Sequence, residues 1–188
     1  MDPRVARTRT ALIDAALAAL ETTSVGELTV AALCARAGVS RVAFYDRFGT
    51  IDALLVDAMA VELDRVRQAA AAIDPGGKRR DDEPPEDLAE VFRIISQRSG
   101  LYRAMLEADG SMAFLHRMRD VLRSAVAASM HRLPGADAWP VERDAYYDYV
   151  AGAALSVVIG WLRRDPLPDA GDIARQFWWL LNTRPGAL

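Results

Sequence analysis

Along the N-terminal quarter the apolar residues fall where a helix would gather them on one side. Leu12, Ile13, Ala16, Leu17 and Leu20 recur at helical offsets and the run ends in ETTSVGE, so a first helix is expected from about Arg4 to Thr23. Thr29 is placed to cap a second helix with Val30, Leu33 and Cys34 inward. Gly38 stops that helix, because glycine accepts the left-handed conformation of a helix end. Ser40 restarts helix almost at once, through Phe48, and Thr50 opens a longer one through Leu54, Leu55, Ala58, Val61 and Leu63 to about Ala72. Residues 74–87, DPGGKRRDDEPPED, read as a loop and a boundary between modules. Beyond it come three more helical patterns: Leu88, Val91, Phe92, Ile95; Leu101, Met105, Leu106; and Met112, Leu115, Met118, Leu122, Val126, Met130. Asp109-Gly110 and Pro134-Gly135 punctuate them. Pro140 suits the first turn of a helix continuing through Tyr149, Val150, Ala153, Val157 and Trp161 to Arg164, and Ile173, Phe177, Leu180 and Leu181 line a last one. No segment alternates with period two between hairpin turns, so the chain reads as all-α with about nine helices.

The 188 residues are 52% hydrophobic and 26% charged, which suits a globular chain with a sizeable core. A net charge of −3 argues against coating nucleic acid by bulk charge, but the charge is uneven. Through residue 50, six arginines stand against five acids (+1), leaving 17 bases against 21 acids (−4) in the remainder. An anionic partner is therefore expected at the N-terminal quarter. Cys34 is the only cysteine, which excludes an intrachain disulfide and makes a cytoplasmic address the expectation; it falls on an inner helical face and reads as core. Asp14 interrupts what would otherwise be a signal-peptide core. The longest uncharged run, Tyr149 to Leu162, is short of the roughly 20 residues of a membrane span, so no membrane partner is expected.

Candidate chemistry concentrates in residues 34–50, CARAGVSRVAFYDRFGT. Two short helices joined through a glycine turn, each with a hydroxyl cap, make a helix-turn-helix, whose second helix fits the major groove of double-stranded DNA. Phe44 and Phe48 lie four apart and share the inward face. Arg41, Val42 and Ala43 are then expected to read base edges, and Thr29, Ser40, Tyr45 and Arg47 to hold phosphates. The plainer alternative is a helical hairpin in a core. For Arg4, Arg7 and Arg9 the choice lies between a DNA-contacting arm and a solvated terminus. No phosphate-binding glycine loop, nucleophile elbow or zinc-protease spacing is present, and His116 and His131 lack partners at metal-ligand spacing. No catalytic residue, metal or cofactor is expected.

The segment LTVAALCARAGVSRVAFYDRFGTIDALL resembles the DNA-binding segment of the tetracycline-repressor (TetR) family. That pattern has a threonine opening helix two, an alanine-glycine-valine-serine turn, and a tyrosine and phenylalanine three apart. Thr29, Ala37, Gly38, Val39, Ser40, Tyr45, Phe48 and Leu54 stand at those places, within a match over about residues 7 to 60. The resemblance implies a three-helix helix-turn-helix domain in residues 1–50 and a ligand-binding and dimerisation bundle in residues 51–188, connected by the helix from about 50 to 72. It further implies a homodimeric regulator, most often a repressor, released from DNA by a small-molecule effector. Ile51 and Asp52 depart from the pattern, since many members carry there a lysine facing a phosphate, then a glutamate. Without that lysine the salt dependence of binding should be flatter by about one unit of slope. The departure also motivates an alternative: a protein of the same fold that acts through a protein partner without reading DNA.

In the C-terminal region, Tyr102, Met105, Phe114, Met118, Tyr146, Tyr149 and Trp161 offer apolar bulk with polar tips, as a pocket between helices would, and suit a helical core equally. Small and large residues mingle in the helices from Pro140 to Arg164 and from Asp172 to Asn182. By the resemblance these would form a four-helix dimer interface through Ala151, Ala154, Val158, Phe177, Trp178 and Leu181. The alternative is that they close the monomer's own core.

Overall fold

The computed structural model describes residues 3–74, 83–107, 109–132 and 140–182. Among them are ten α-helices and no strand: α1 (Pro3–Ala19), α2 (Val30–Ala37), α3 (Arg41–Arg47), α4 (Ile51–Ala58), α5 (Ala60–Ala72), α6 (Glu86–Gln97), α7 (Ser99–Leu106), α8 (Met112–Met130), α9 (Arg143–Leu162) and α10 (Ala170–Asn182). Most of the expected linker, residues 75–82, lies outside the described residues, as do the Pro134-Gly135 turn and the side chain of Arg4. The helices form two compact units, one of Met1–Val61 with Gly100–Arg117, the other of Glu62–Ser99 with Met118–Leu188.

Three boundaries differ from the sequence expectation, each for a local reason. The first helix stops at Ala19 instead of Thr23, and a short 3-10 turn, Val25–Glu27, follows. There the Glu27 carboxylate accepts from the Ser24 N–H at 3.0 Å and the Ser24 hydroxyl at 3.1 Å, a side-chain arrangement that competes with continued helix. The single helix expected from about 50 to 72 is two, parted at the fully buried Met59, which accounts for ten helices in place of about nine. Pro140 stands ahead of α9 instead of within its first turn, because the helix begins only after Glu142, whose backbone is extended (φ −61°, ψ 139°).

In the first unit α1 packs against α2, α3 and α4. Its core takes Leu12 and Ala16 from α1, Leu33 and Cys34 from α2, Phe44 from α3, and Leu54 and Leu55 from α4, all buried. Each large side chain so removed from water stabilises the unit by about 1.5–3 kcal/mol before chain entropy is counted. Tyr102 and Met105 from α7 and Phe114 from α8 are also fully buried, with the Tyr102 and Phe114 rings 6.2 Å apart. Ser111 caps α8 by accepting from the Phe114 N–H at 3.1 Å, and its hydroxyl donates to the Asp52 carboxylate in the first turn of α4.

The second unit is organised around Phe92 of α6. Its ring meets Trp161 of α9 edge-on at 5.5 Å and Phe177 of α10 at 6.2 Å, and the Trp161 indole donates to the Pro168 carbonyl at 2.9 Å. Buried Glu62 is bonded by Arg65 and Arg98, each at 3.2 Å. Arg123 of α8 grips Asp148 and Asp144 of α9 at 2.9 and 2.8 Å, and these bonds, Asp148 foremost, hold its guanidinium pKa above the ordinary value. Helix α9 is long and apolar enough to cross a membrane by length and composition. Its Val150, Ala151, Leu155, Val158, Trp161 and Leu162 are buried within the unit, which accounts for that apolar character as core.

Candidate nucleic-acid interface

The turn between α2 and α3 is set by local chemistry. Thr29 Oγ1 accepts from the Ala32 N–H at 3.2 Å and opens α2, whose only two buried side chains are Leu33 and Cys34. Gly38 ends it in the left-handed region (φ 66°, ψ 31°), with its N–H on the Ala35 carbonyl at 3.3 Å and that of Val39 on Cys34 at 3.1 Å. Ser40 Oγ then accepts from the Ala43 N–H at 3.1 Å and starts α3 two residues after the turn. So short a link between two capped helices fixes the direction in which α3 leaves α2.

Phe44 is 0% exposed and roots α3 in the core. Phe48 is half-buried, 6.1 Å from the Phe44 ring, with the Arg47 guanidinium 5.7 Å from its own ring centre. On the other side Val42 is 68% and Tyr45 57% exposed, although a lone large apolar side chain gains nothing from facing water. Thr29, Ser40, Arg41 and Arg47 are exposed too, and Ala43 is half-buried. The seven residues singled out for DNA thus stand along α2, the turn and α3, six of them open to solvent. Arg36, which entered the sequence reading only through the charge balance, is exposed in the last turn of α2.

The basic N-terminal arm divides differently. Arg9 makes two 2.7 Å bonds to Asp57 of α4, which raise its pKa above the ordinary value chiefly through the hydrogen bond and tie α1 to α4. Arg9, left open in the sequence between a DNA-contacting arm and a solvated terminus, is thus paired within the first unit. At the start of α4, Ile51 is half-buried and Asp52 is bonded to Ser111, so the first turn of that helix carries no cation.

The second unit holds a cavity of about 140 Å³. Of the seven residues read as pocket candidates, Tyr146 lines it. Five of the six read as interface also do: Ala154, Val158, Phe177, Trp178 and Leu181. Tyr102, Met105 and Phe114 belong instead to the core of the first unit, and Met118 and Trp161 are fully buried. Tyr149, beside the lining residue Val150, is 65% exposed, because one helical step of about 100° turns it to a different flank of α9. Ala151, Val158 and Phe177 are buried at 0%, 2% and 4%, while Tyr149, Trp179 and Leu180 present the large apolar side chains of α9 and α10 to solvent. The sequence reading missed the remaining wall, including Leu88, Leu122, Val126 and Val150, whose apolar spacing announces burial without saying that a space lies in front of it.

A capped helix-turn-helix on a buried aromatic root, with helices and no strand among the described residues, is the architecture of a DNA-binding transcriptional regulator. Residues 12–58 match the model of bacterial regulatory proteins of the tetR family, and residues 82–183 match that of a transcriptional regulator C-terminal region, over half of the chain. The chain belongs to the TetR family of transcriptional regulators. No curated protein matches its sequence. Among solved structures, a TetR transcriptional regulator from Streptococcus agalactiae 2603V aligns with TM-score 0.68 and 17% identity, covering 97% of each chain. The Thermus thermophilus FadR repressor in complex with lauroyl-CoA aligns with TM-score 0.62 and 17% identity, covering 96% of this chain and 98% of its own. The multidrug binding protein EbrR complexed with imidazole aligns with TM-score 0.57 and 21% identity, covering 99% and 94%. At these identities the likeness is one of fold.

Proposed function

We propose that the protein is a cytoplasmic, homodimeric repressor that binds double-stranded DNA through α3 of each subunit and is released when a small molecule occupies the cavity of the second unit. The observation that carries this reading is the exposure of Arg41, Val42, Tyr45 and Arg47 on a helix whose Phe44 is fully buried. Arg41, Val42 and Ala43 read base edges, while Thr29, Ser40, Tyr45 and Arg47 hold phosphates on either side. Two such helices in one dimer reach successive major grooves roughly 34–36 Å apart on a near-palindromic site. Exposed Tyr149, Trp179 and Leu180 support α9 and α10 as the faces that meet the second subunit. The lauroyl-CoA and imidazole complexes of FadR and EbrR support a ligand-binding role for this fold. Release follows if the ligand binds more tightly to a conformation that spaces the two α3 helices wrongly.

A footprint on promoter fragments neighbouring the gene tests the reading. The protein should protect a defined, salt-sensitive site, and the Arg41→Ala, Tyr45→Ala double variant should not; equal protection by that variant would defeat the assignment. The absence of a cation in the first turn of α4 favours a second reading, a regulator that works through a protein partner. No protected site anywhere in a genomic fragment library would favour it over the first.

A further inference from the structure

We infer that the cavity of the second unit takes a small, uncharged, apolar molecule of about one six-membered ring. This rests on the effector role proposed above and supplies its chemistry. The space is about 140 Å³, and an apolar cavity of about 150 Å³ holds a benzene-sized ligand. A long acyl chain or a fused polycycle exceeds it. Leu88, Phe92, Val150 and Phe177 stand in its wall, and no Asp, Glu, Lys, Arg or His is among the described residues that line it. Two of its polar side chains are engaged with the backbone: the Ser129 hydroxyl donates to the Ile73 carbonyl at 2.8 Å, and the Asn182 amide to the Trp178 carbonyl at 2.7 Å; the others in the wall, Tyr146 and Trp178, are neutral. A carboxylate or ammonium entering would lose its water and find no counter-charge among the described lining residues, whereas an apolar ring gives up no hydrogen bonds. The rings of Phe92, Phe177 and Trp178 in that wall favour an aromatic guest through edge-to-face contact.

Calorimetry and thermal melts of the full chain with toluene, benzoate and dodecanoate test this. Toluene should bind saturably and raise Tm, and benzoate, the same ring bearing a charge, should bind more than about tenfold more weakly. Dodecanoate, too long for the space, should show no saturable binding. Ala154→Leu on α9 and Val126→Phe on α8 each fill the cavity and should abolish toluene binding, with circular dichroism reporting whether each variant is folded. Failure of toluene to bind the wild type, benzoate or dodecanoate binding as tightly, or toluene binding unchanged in a folded cavity-filled variant would overturn the inference. A parallel titration of duplex separates it from the reading on which it rests. Toluene bound without any effect on DNA supports the ligand class and removes the effector role. Duplex released by a charged compound while toluene stays inert overturns the ligand class and keeps the regulator.

Discussion

Phe44 and Tyr45 are neighbours in the chain with opposite surroundings, and substitution separates what each does. Phe44 is fully buried, so Phe44→Ala should lower the unfolding free energy of the first unit by about 3–5 kcal/mol in chemical denaturation. Tyr45 is 57% exposed, so Tyr45→Ala should leave stability within about 0.5 kcal/mol. Removing the hydroxyl should still weaken duplex binding about tenfold, the size of one hydrogen bond to a charged acceptor. If Tyr45→Ala destabilised the fold instead, the side chain would be structural and its proposed role at a phosphate would fall. Arg9 invites the opposite expectation. Its pair with Asp57 leaves the two side chains 36% and 28% exposed, and such a pair is worth about 0.5–1 kcal/mol after solvent screening. A raised arginine pKa contributes stability that is complete below the unfolded value and fades only as pH rises through the still more alkaline folded one. Arg9→Ala should therefore destabilise equally across about pH 7 to 9, by an amount that shrinks with added salt.

At the scale of elements, two glycines show how differently a turn can depend on the same residue. A Cβ at Gly38 would meet nothing within 4 Å, but the backbone is left-handed at φ +66°, so Gly38→Ala should cost about 1–2 kcal/mol through conformation alone, and Gly38→Asn less. At Gly110, ahead of α8, a Cβ would lie 2.4 Å from the Met105 carbonyl oxygen, which is backbone and cannot swing aside. Gly110→Ala should cost about 3 kcal/mol or more. Denaturation of both variants checks the order, and a larger effect at Gly38 would contradict it. Turns and caps of this kind are legible in the sequence, since Thr29, Gly38, Ser40 and Thr50 act through atoms within three or four residues of themselves. The cavity is not. Helix α9 is apolar around most of its circumference, so its pattern has no phase and cannot say which flank meets the core, which lines a space and which is left for a second subunit. Val150 and Tyr149 differ by one position and have different roles, and only their packing against other helices separates them. The break at Met59 is hidden for the same reason, because its buried position depends on tertiary neighbours.

For the whole molecule the open quantity is how many subunits meet the duplex, and the chain's electrostatics provide a way to count them. Tyr149 and Leu180 are 65% and 53% exposed, so Tyr149→Asp with Leu180→Asp should leave each subunit folded while placing charge on the face proposed to be shared. Sedimentation should then report monomers. Affinity for a two-half-site duplex should fall about 10²–10⁴-fold, because the second half-site is no longer bound intramolecularly, while affinity for a single half-site stays unchanged. A variant that adds a cation makes the same count without disturbing the interface. Ile51 stands half-buried in the first turn of α4, and a lysine there can lay its methylenes along the same apolar ground while its ammonium reaches water or a phosphate. Each new phosphate contact steepens the slope of log K against log salt by about 0.9. Ile51→Lys should accordingly steepen it by about 0.9 on a single half-site and about 1.8 on the full site, if two subunits bind together. Equal increments on the two duplexes would mean that one subunit alone engages DNA, and no increment on either would place α4 away from the phosphate backbone.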